Sequence, residues 1–96
     1  MPAAEAVVTI PTPSRYMVRL VNHFAHRCEV KKEEAHASVA FPNGGTALLD
    51  AGEDTLKIRI EAPDAAELER LEEVVAKHLH QVASTETFEI TWTPAV

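Results

Sequence analysis

The residues of this chain that are best suited to chemistry lie close together in one stretch. His23 and His26 stand three residues apart, and Cys28 follows shortly after them. Residues at a spacing of three are neighbours on a helix surface, and imidazole and thiolate groups bind zinc, copper or ferrous iron. These three side chains are therefore candidate ligands for zinc or iron. The simpler interpretation is that His23 is hydrogen-bonded to a neighbour at the flank of the helix and that His26 is solvated.

A fourth candidate ligand, His78, lies in a second helical stretch. At about 100° per residue, His78 falls within the apolar stripe of that stretch, so its ring is predicted at the border of the helix. There it could face His23 and form a two-helix imidazole site for a metal or a small ligand. The alternative is a core-edge histidine tied to a backbone carbonyl, because a buried imidazole needs a hydrogen-bond partner.

Three further side chains have predicted positions relative to this site. Tyr16 is predicted near His23 on the first helix, so we count it as a ligand-binding candidate together with His23, His26 and His78. His80 is predicted on the other side of the second helix, where it cannot share an ion with His78. His36 is predicted to be solvated on the outer face of a strand.

No complete catalytic constellation accompanies these residues. Cys28 could act as a nucleophile with a nearby histidine as its base, but the adjacent carboxylates of Glu29, Glu33 and Glu34 disfavour a lowered thiol pKa. The remaining carboxylates are predicted on regular exposed faces, and none forms a pair placed for acid–base work. We therefore name no catalytic residues and favour a protein without enzymatic activity.

Length, charge and cysteine content limit the class of protein. The 96 residues predict a single domain over residues 1–96. The net charge of −6 argues against nucleic acid as a partner. A single cysteine fits a reducing compartment. There is neither a secretory signal nor an apolar run of the roughly 18 residues that a membrane span needs. We expect a cytoplasmic protein without a membrane partner.

Two amphipathic helices are predicted to position the candidate site. Residues 13–27 form the first, after a strand at residues 6–10, with Pro13 at its first position and the Thr12 hydroxyl as its cap. The second begins after Asp64, which forms a capping-box-like pair with Glu67, and frays near residues 83–85. Their apolar stripes have helical spacing and comprise Met17, Leu20, Val21 and Phe24 in the first and Leu68, Leu71, Val75, Leu79 and Val82 in the second.

The other predicted elements are strands. Alternating apolar and polar residues predict them at residues 28–32, 35–41, 46–51, 56–62 and 88–93. Turns are predicted at residues 33–34, 42–45 and 52–54, of which the Asn43-Gly44 turn has the strongest signal.

The element order is therefore β-α-β-β-β-β-α-β. Each helix has one apolar stripe and most strands have one apolar face, so we predict an α+β two-layer sandwich with both helices on one face of a mainly antiparallel sheet. The central strands are predicted to form a meander, and the first and last strands to pair with its ends through right-handed crossovers. The other sheet face is open, and is either solvated or a surface for homodimerisation.

The chain also resembles a known family. The residues that carry the resemblance are Tyr16, Leu20, the run His23-Phe24-Ala25-His26, Phe41-Pro42, Gly44, Leu68, Leu71, Val74-Val75, His78-Leu79 and Trp92. With these residues the chain resembles the bacterial domain-of-unknown-function family 2218 over about residues 7–94. The resemblance implies a small cytoplasmic protein. Some members are associated with, or fused to, siderophore-interacting flavin reductases, so it also implies an indirect link to iron handling and such a reductase as a candidate partner.

One segment departs from the family pattern. After His78-Leu79, relatives tend to continue with Arg-Phe-Ala-Phe-Arg-Glu, whereas the matching residues here are 81–86, Gln-Val-Ala-Ser-Thr-Glu. Two arginines and two phenylalanines are missing. The resemblance therefore does not extend an anion-binding or aromatic-binding role to this segment.

Three hypotheses of function follow. The first is a non-catalytic accessory module that binds a metal or a small ligand at the histidines and has an indirect link to iron and siderophores. The second is a structural or interaction protein that dimerises through the open sheet face. The third is a small enzyme of unassigned type.

Overall fold

A computed structural model describes residues 2–95 of the chain. Its elements are β1 (Ala3–Thr9), α1 (Pro13–Phe24), β2 (Glu29–Glu33), β3 (His36–Ala40), β4 (Thr46–Ala51), β5 (Thr55–Glu61), α2 (Ala65–Val82) and β6 (Thr93–Ala95). This confirms the predicted element order. No helix within the described range is long and apolar enough to cross a membrane.

The strands form one six-stranded sheet in the order β2-β3-β4-β5-β1-β6. Every neighbouring pair is antiparallel, and β2 to β5 make the predicted meander. β1 pairs with the end strand β5, as predicted, whereas β6 pairs with β1 at the edge of the sheet. The link through α1 joins β1 to the edge strand β2, and the link through α2 joins β5 to β6. Each link connects two strands that run parallel without being neighbours. The right-handed sense of these crossovers stays a prediction.

Both helices pack on one face of this sheet, as predicted. α1 lies against β2 to β5, α2 lies against β5 and β1, and the two helices contact each other. Alternate residues of the strands point toward them, because successive side chains of a strand face opposite sides. The buried side chains of this layer include Val8, Val39, Leu49, Leu56, Ile58 and Ile60 from the sheet, Met17 and Leu20 from α1, and Leu71, Val75 and Leu79 from α2.

The opposite face of the sheet has many charged side chains. Arg59 lies near its middle and bonds to Glu5 at 3.2 Å and to Glu61 at 3.0 Å. Val7 and Leu48 are the large apolar side chains exposed among the described residues. The cores of stable protein interfaces are depleted of charged residues. The composition of this face therefore favours its solvated interpretation over its use as a dimer surface.

The first helix differs from its prediction at both ends. It ends at Phe24 rather than near Arg27, because Ala25, His26 and Arg27 are all exposed and provide no buried side chain to hold another turn. At the start, Thr12 has φ 47° and its hydroxyl makes no capping bond. The predicted Thr12 cap is therefore wrong: its left-handed backbone makes the sharp turn between the buried residues Ile10 and Pro13.

The last strand, predicted at residues 88–93, also differs from its prediction. Residues 88–92 form no regular strand, and within the described residues β6 pairs with Ala3, Ala4 and Glu5 of β1. The alternating apolar residues that predicted the strand do pack inward: Phe88, Ile90 and Trp92 are half-buried against the core. A strand needs backbone hydrogen bonds to a neighbour as well as a side-chain pattern, and residues 88–92 do not pair with β1 although β1 continues to Thr9.

Other boundaries agree more closely. β2 to β5 match the predicted ranges to within one residue at each end, whereas β1 begins at Ala3 instead of residue 6. The Asp64 side chain accepts a hydrogen bond from the Glu67 amide at 2.8 Å, which confirms the predicted cap of α2. The Glu67 carboxylate does not return the bond and pairs with Arg70 instead.

The turn between β3 and β4 packs tightly against α2. At Gly45, an added Cβ would overlap Cδ1 of Leu71 and lie 3.3 Å from the carbonyl oxygen of Glu61. Leu71 is fully buried and therefore cannot move into solvent. This close approach holds the turn beside the helix.

We expect Gly45→Ala to lower the free energy of unfolding by about 1–3 kcal/mol through overpacking, as measured by urea denaturation. Gly52→Ala is the matched control, because the nearest atom to its new Cβ is the Thr55 hydroxyl at 3.1 Å, in a turn where Gly52 is exposed. Equal stability of the Gly45→Ala variant and the wild type would contradict the close packing of the turn.

Candidate functional site

A cleft opens where the end of α1 meets α2 and the turn between β3 and β4. Its volume is about 710 Å³, which falls in the range of small-ligand pockets. The lining residues come from three parts of the chain and are His23, Phe24, His26, Arg27, Cys28, Phe41, Pro42, Asn43, Arg70, Val74 and His78. All the predicted histidine and cysteine ligands therefore line one cleft.

Two imidazoles meet in the cleft across the contact between the helices. The ring of His23, in the last turn of α1, lies 4.6 Å from the ring of His78 on α2, measured between centroids. Phe24 lies 5.0 Å from His78 and 5.3 Å from Phe41, the latter in an edge-to-face arrangement. The structure thus brings together the two histidines expected to face each other, and adds an aromatic wall.

The hydrogen bond of His78 determines which ring nitrogen is available. Its Nδ1 lies 2.6 Å from the carbonyl oxygen of Val74, one turn earlier in α2. A carbonyl oxygen can only accept, so Nδ1 carries the proton and Nε2 remains for another partner. Both interpretations of His78 therefore hold together: the ring is tied to a backbone carbonyl and also faces His23.

The four predicted metal ligands do not form a preformed ion site. Within residues 2–95, no group of three or more His, Cys, Asp or Glu side chains is placed to hold a metal ion. The helical spacing that was to pair His23 with His26 is lost, because α1 ends at Phe24 and His26 lies in the exposed turn that follows. The structure assembles the imidazole pair of His23 and His78, but does not gather His26 and Cys28 around it.

The thiol of Cys28 is half-buried at the edge of the cleft. Desolvation by burial raises the pKa of Cys28 above its ordinary value. The sequence analysis argued only against a lowered pKa, on the ground of nearby carboxylates, whereas the cause of the raised pKa in the structure is burial. At neutral pH the group is a neutral thiol, which is both a poor nucleophile and a poor metal ligand.

Tyr16 lies apart from the cleft. Its side chain is buried in the core, and its hydroxyl donates to Oε2 of Glu86 at 2.7 Å. The guanidinium of Arg19 lies 5.6 Å from the centroid of the Tyr16 ring. Tyr16 therefore connects α1 to the segment after α2, and does not join the histidines.

The two remaining histidines also lie elsewhere. The His80 ring stacks on Phe88 at 4.5 Å, away from His78 on the same helix. His36 is exposed on the open face of the sheet and pairs with Asp50 of the neighbouring strand. Both placements agree with the sequence analysis.

Sequence reasoning missed several residues of the cleft. Arg70 and Val74 precede His78 at intervals of four residues, a spacing that places them along one side of α2. This spacing is visible in the sequence and could have identified Arg70 and Val74 as neighbours of His78. Asn43 and Arg27 come from a turn and a loop end, whose approach to α2 depends on tertiary packing and leaves no such signal.

We expect Cys28 to react slowly with iodoacetamide in the folded protein. Its raised pKa leaves less thiolate at neutral pH than an unburied cysteine has. The rate should climb as the pH is raised toward the alkaline range, and should be faster in urea than in buffer at the same neutral pH, measured by mass spectrometry. Equal rates for the folded and unfolded chain at neutral pH would contradict this account of the thiol.

Comparisons with known proteins agree with the fold. The chain is similar to the protein in the NMR structure of PA4090 from Pseudomonas aeruginosa, with 29% identity, a TM-score of 0.80, and coverage of 97% of this chain and 96% of that one. No curated protein matches the sequence. Residues 5–93 match a family described as uncharacterized proteins conserved in bacteria, DUF2218. This chain therefore belongs to domain-of-unknown-function family 2218.

Proposed function

We propose that this protein is a non-catalytic binding module that holds a small organic ligand in the cleft between α1, α2 and the turn from β3 to β4. The observation that carries the proposal is the composition of this cleft. Paired imidazoles lie beside the aromatic rings of Phe24 and Phe41, and Nε2 of His78 remains for a ligand. Small-ligand sites combine an apolar lining with a few polar groups that fix orientation.

The cleft is better suited to binding than to chemistry. Its thiol, on Cys28, has a raised pKa and is poorly activated for attack. The described carboxylates do not line the cleft, so no acid–base pair of that kind is supported there. These residues can position a ligand and remove it from water.

The alternative functions have weaker support. A metal-binding role has the imidazole pair in its favour, but the described residues offer no third ligand beside it. Dimerisation through the open sheet face would have to bury charged groups such as Arg59 and Lys57. The link to siderophore-interacting reductases comes from the family resemblance alone. No described side chain that lines the cleft points to a siderophore or a reductase.

Fragment screening by NMR tests the proposal. With the ¹⁵N-labelled protein and fragments of mixed charge, which bind with dissociation constants on the order of 1 mM, we expect shifts concentrated at the amides of Phe24, Asn43 and Val74. Val74→Phe should abolish these shifts by filling the cleft. Val7→Phe is the matched control, because Val7 is exposed on the other face of the sheet.

A screen in which no fragment shifts the cleft amides, or in which Val74→Phe leaves those shifts unchanged, would show that the cleft is not a binding site.

A further inference from the structure

The charge of the cleft is opposite to that of the protein. The chain has 15 Asp and Glu against 9 Lys and Arg. Nevertheless, the described residues that line the cleft include two arginines and three histidines and no carboxylate. A concave site lined by charge of one sign concentrates ligands of the opposite sign. The cleft is therefore suited to an anion, although the protein as a whole repels anions.

The two arginines of the cleft differ in their ion pairs with carboxylates. Nε of Arg70 donates to Oε1 of Glu67 at 2.6 Å, so the charge of Arg70 is partly compensated. Arg27 is exposed in the turn after α1 and makes no ion pair with a carboxylate of residues 2–95. A guanidinium has five N–H donors in a fork that matches carboxylate and phosphate oxygens. Arg27 is accordingly the cation with most capacity for a ligand.

The other walls provide groups for the rest of a ligand. The Asn43 amide lines the cleft from the turn between β3 and β4. Phe24 and Phe41 meet edge to face at 5.3 Å between centroids and provide an apolar surface. Aromatic rings favour offset-stacked or edge-to-face contacts with another flat group. A ligand that satisfies all of these groups has one acidic end and one apolar, preferably planar, body.

Given that the cleft is a binding site, as proposed above, we infer that its ligand is a small organic anion. Arg27 and Asn43 bind the carboxylate or phosphate group, and the apolar body lies against Phe24 and Phe41. Nε2 of His78 accepts a hydrogen bond from a donor on the rest of the ligand, because Nδ1 carries the proton of the neutral ring. No covalent step is involved.

Four matched probes test this inference: phenylacetate and phenyl phosphate as anions, 2-phenylethanol as the neutral analogue and phenethylamine as the cationic one. Titrations followed at the cleft amides by NMR should show the better anion binding about fivefold to tenfold more tightly than 2-phenylethanol, the gain expected of a partly exposed charge-assisted bond. The amine should bind most weakly. The ratio between the two anions distinguishes a carboxylate ligand from a phosphate ligand. Added salt should weaken only the anions.

Substitution of Arg27 tests the assigned contact. Arg27→Gln should remove most of the preference for anions and leave 2-phenylethanol binding unchanged. Arg15→Gln is the matched control, because it makes the same charge change at an exposed position in the first turn of α1. An equal loss in both variants would overturn the role of Arg27.

The results separate this inference from the proposed function. If 2-phenylethanol or phenethylamine shifts the cleft amides as strongly as the anions do, the anion preference is wrong and the binding site stands. If no probe of any charge shifts them and the fragment screen is also without cleft hits, the binding function itself falls, and this inference falls with it.

Discussion

The structure depends on the packing of two amphipathic helices on a single face of the sheet. The other face is charged, with Arg59 bonded to two carboxylates near its middle. Neither helix could bury its apolar stripe there without desolvating these charges. Both stripes are therefore buried on the same side, which makes α1 and α2 neighbours. Contact between His23 and His78 follows from this arrangement, because each lies at the border of its stripe.

The cleft forms because the elements around it end at different places. The apolar stripe of α1 ends at Phe24, so the chain leaves the helix there, while α2 continues past that point to Val82. The turn from β3 to β4 closes the third side, because Gly45 lets its backbone approach Leu71 without a side chain between them. The result is a concave surface lined by three parts of the chain, whose polar groups come both from the two helices and from the irregular segments beside them.

The sequence predicted those features that depend on periodic burial. The stripes of the helices and the alternation of the strands gave the element order and the two-layer packing. The angular position of His78 in its stripe gave its contact with His23. These predictions succeeded because burial of a regular face leaves a regular pattern in the sequence.

The features that the sequence did not predict depend on tertiary contacts. The end of α1 before His26 is set by the exposure of the following residues, and β6 is short because the chain begins to pair with β1 only at Thr93. The approach of Asn43 to α2 requires the fit at Gly45. No local spacing reports such contacts, so the predicted pairing of His23 with His26 assumed a longer first helix than the one that forms.

The contact between the two imidazoles tests the account most directly, since it requires both helices on one face and creates the centre of the cleft. The ring centroids lie 4.6 Å apart, so nuclear Overhauser spectra should show cross-peaks between the carbon-bound ring protons of His23 and His78. His80, which stacks on Phe88, is the internal control and should show no cross-peak to His23. If the ring of His78 shows cross-peaks only to residues of α2, the contact between α1 and α2 at this point is contradicted, and so is the cleft beside it.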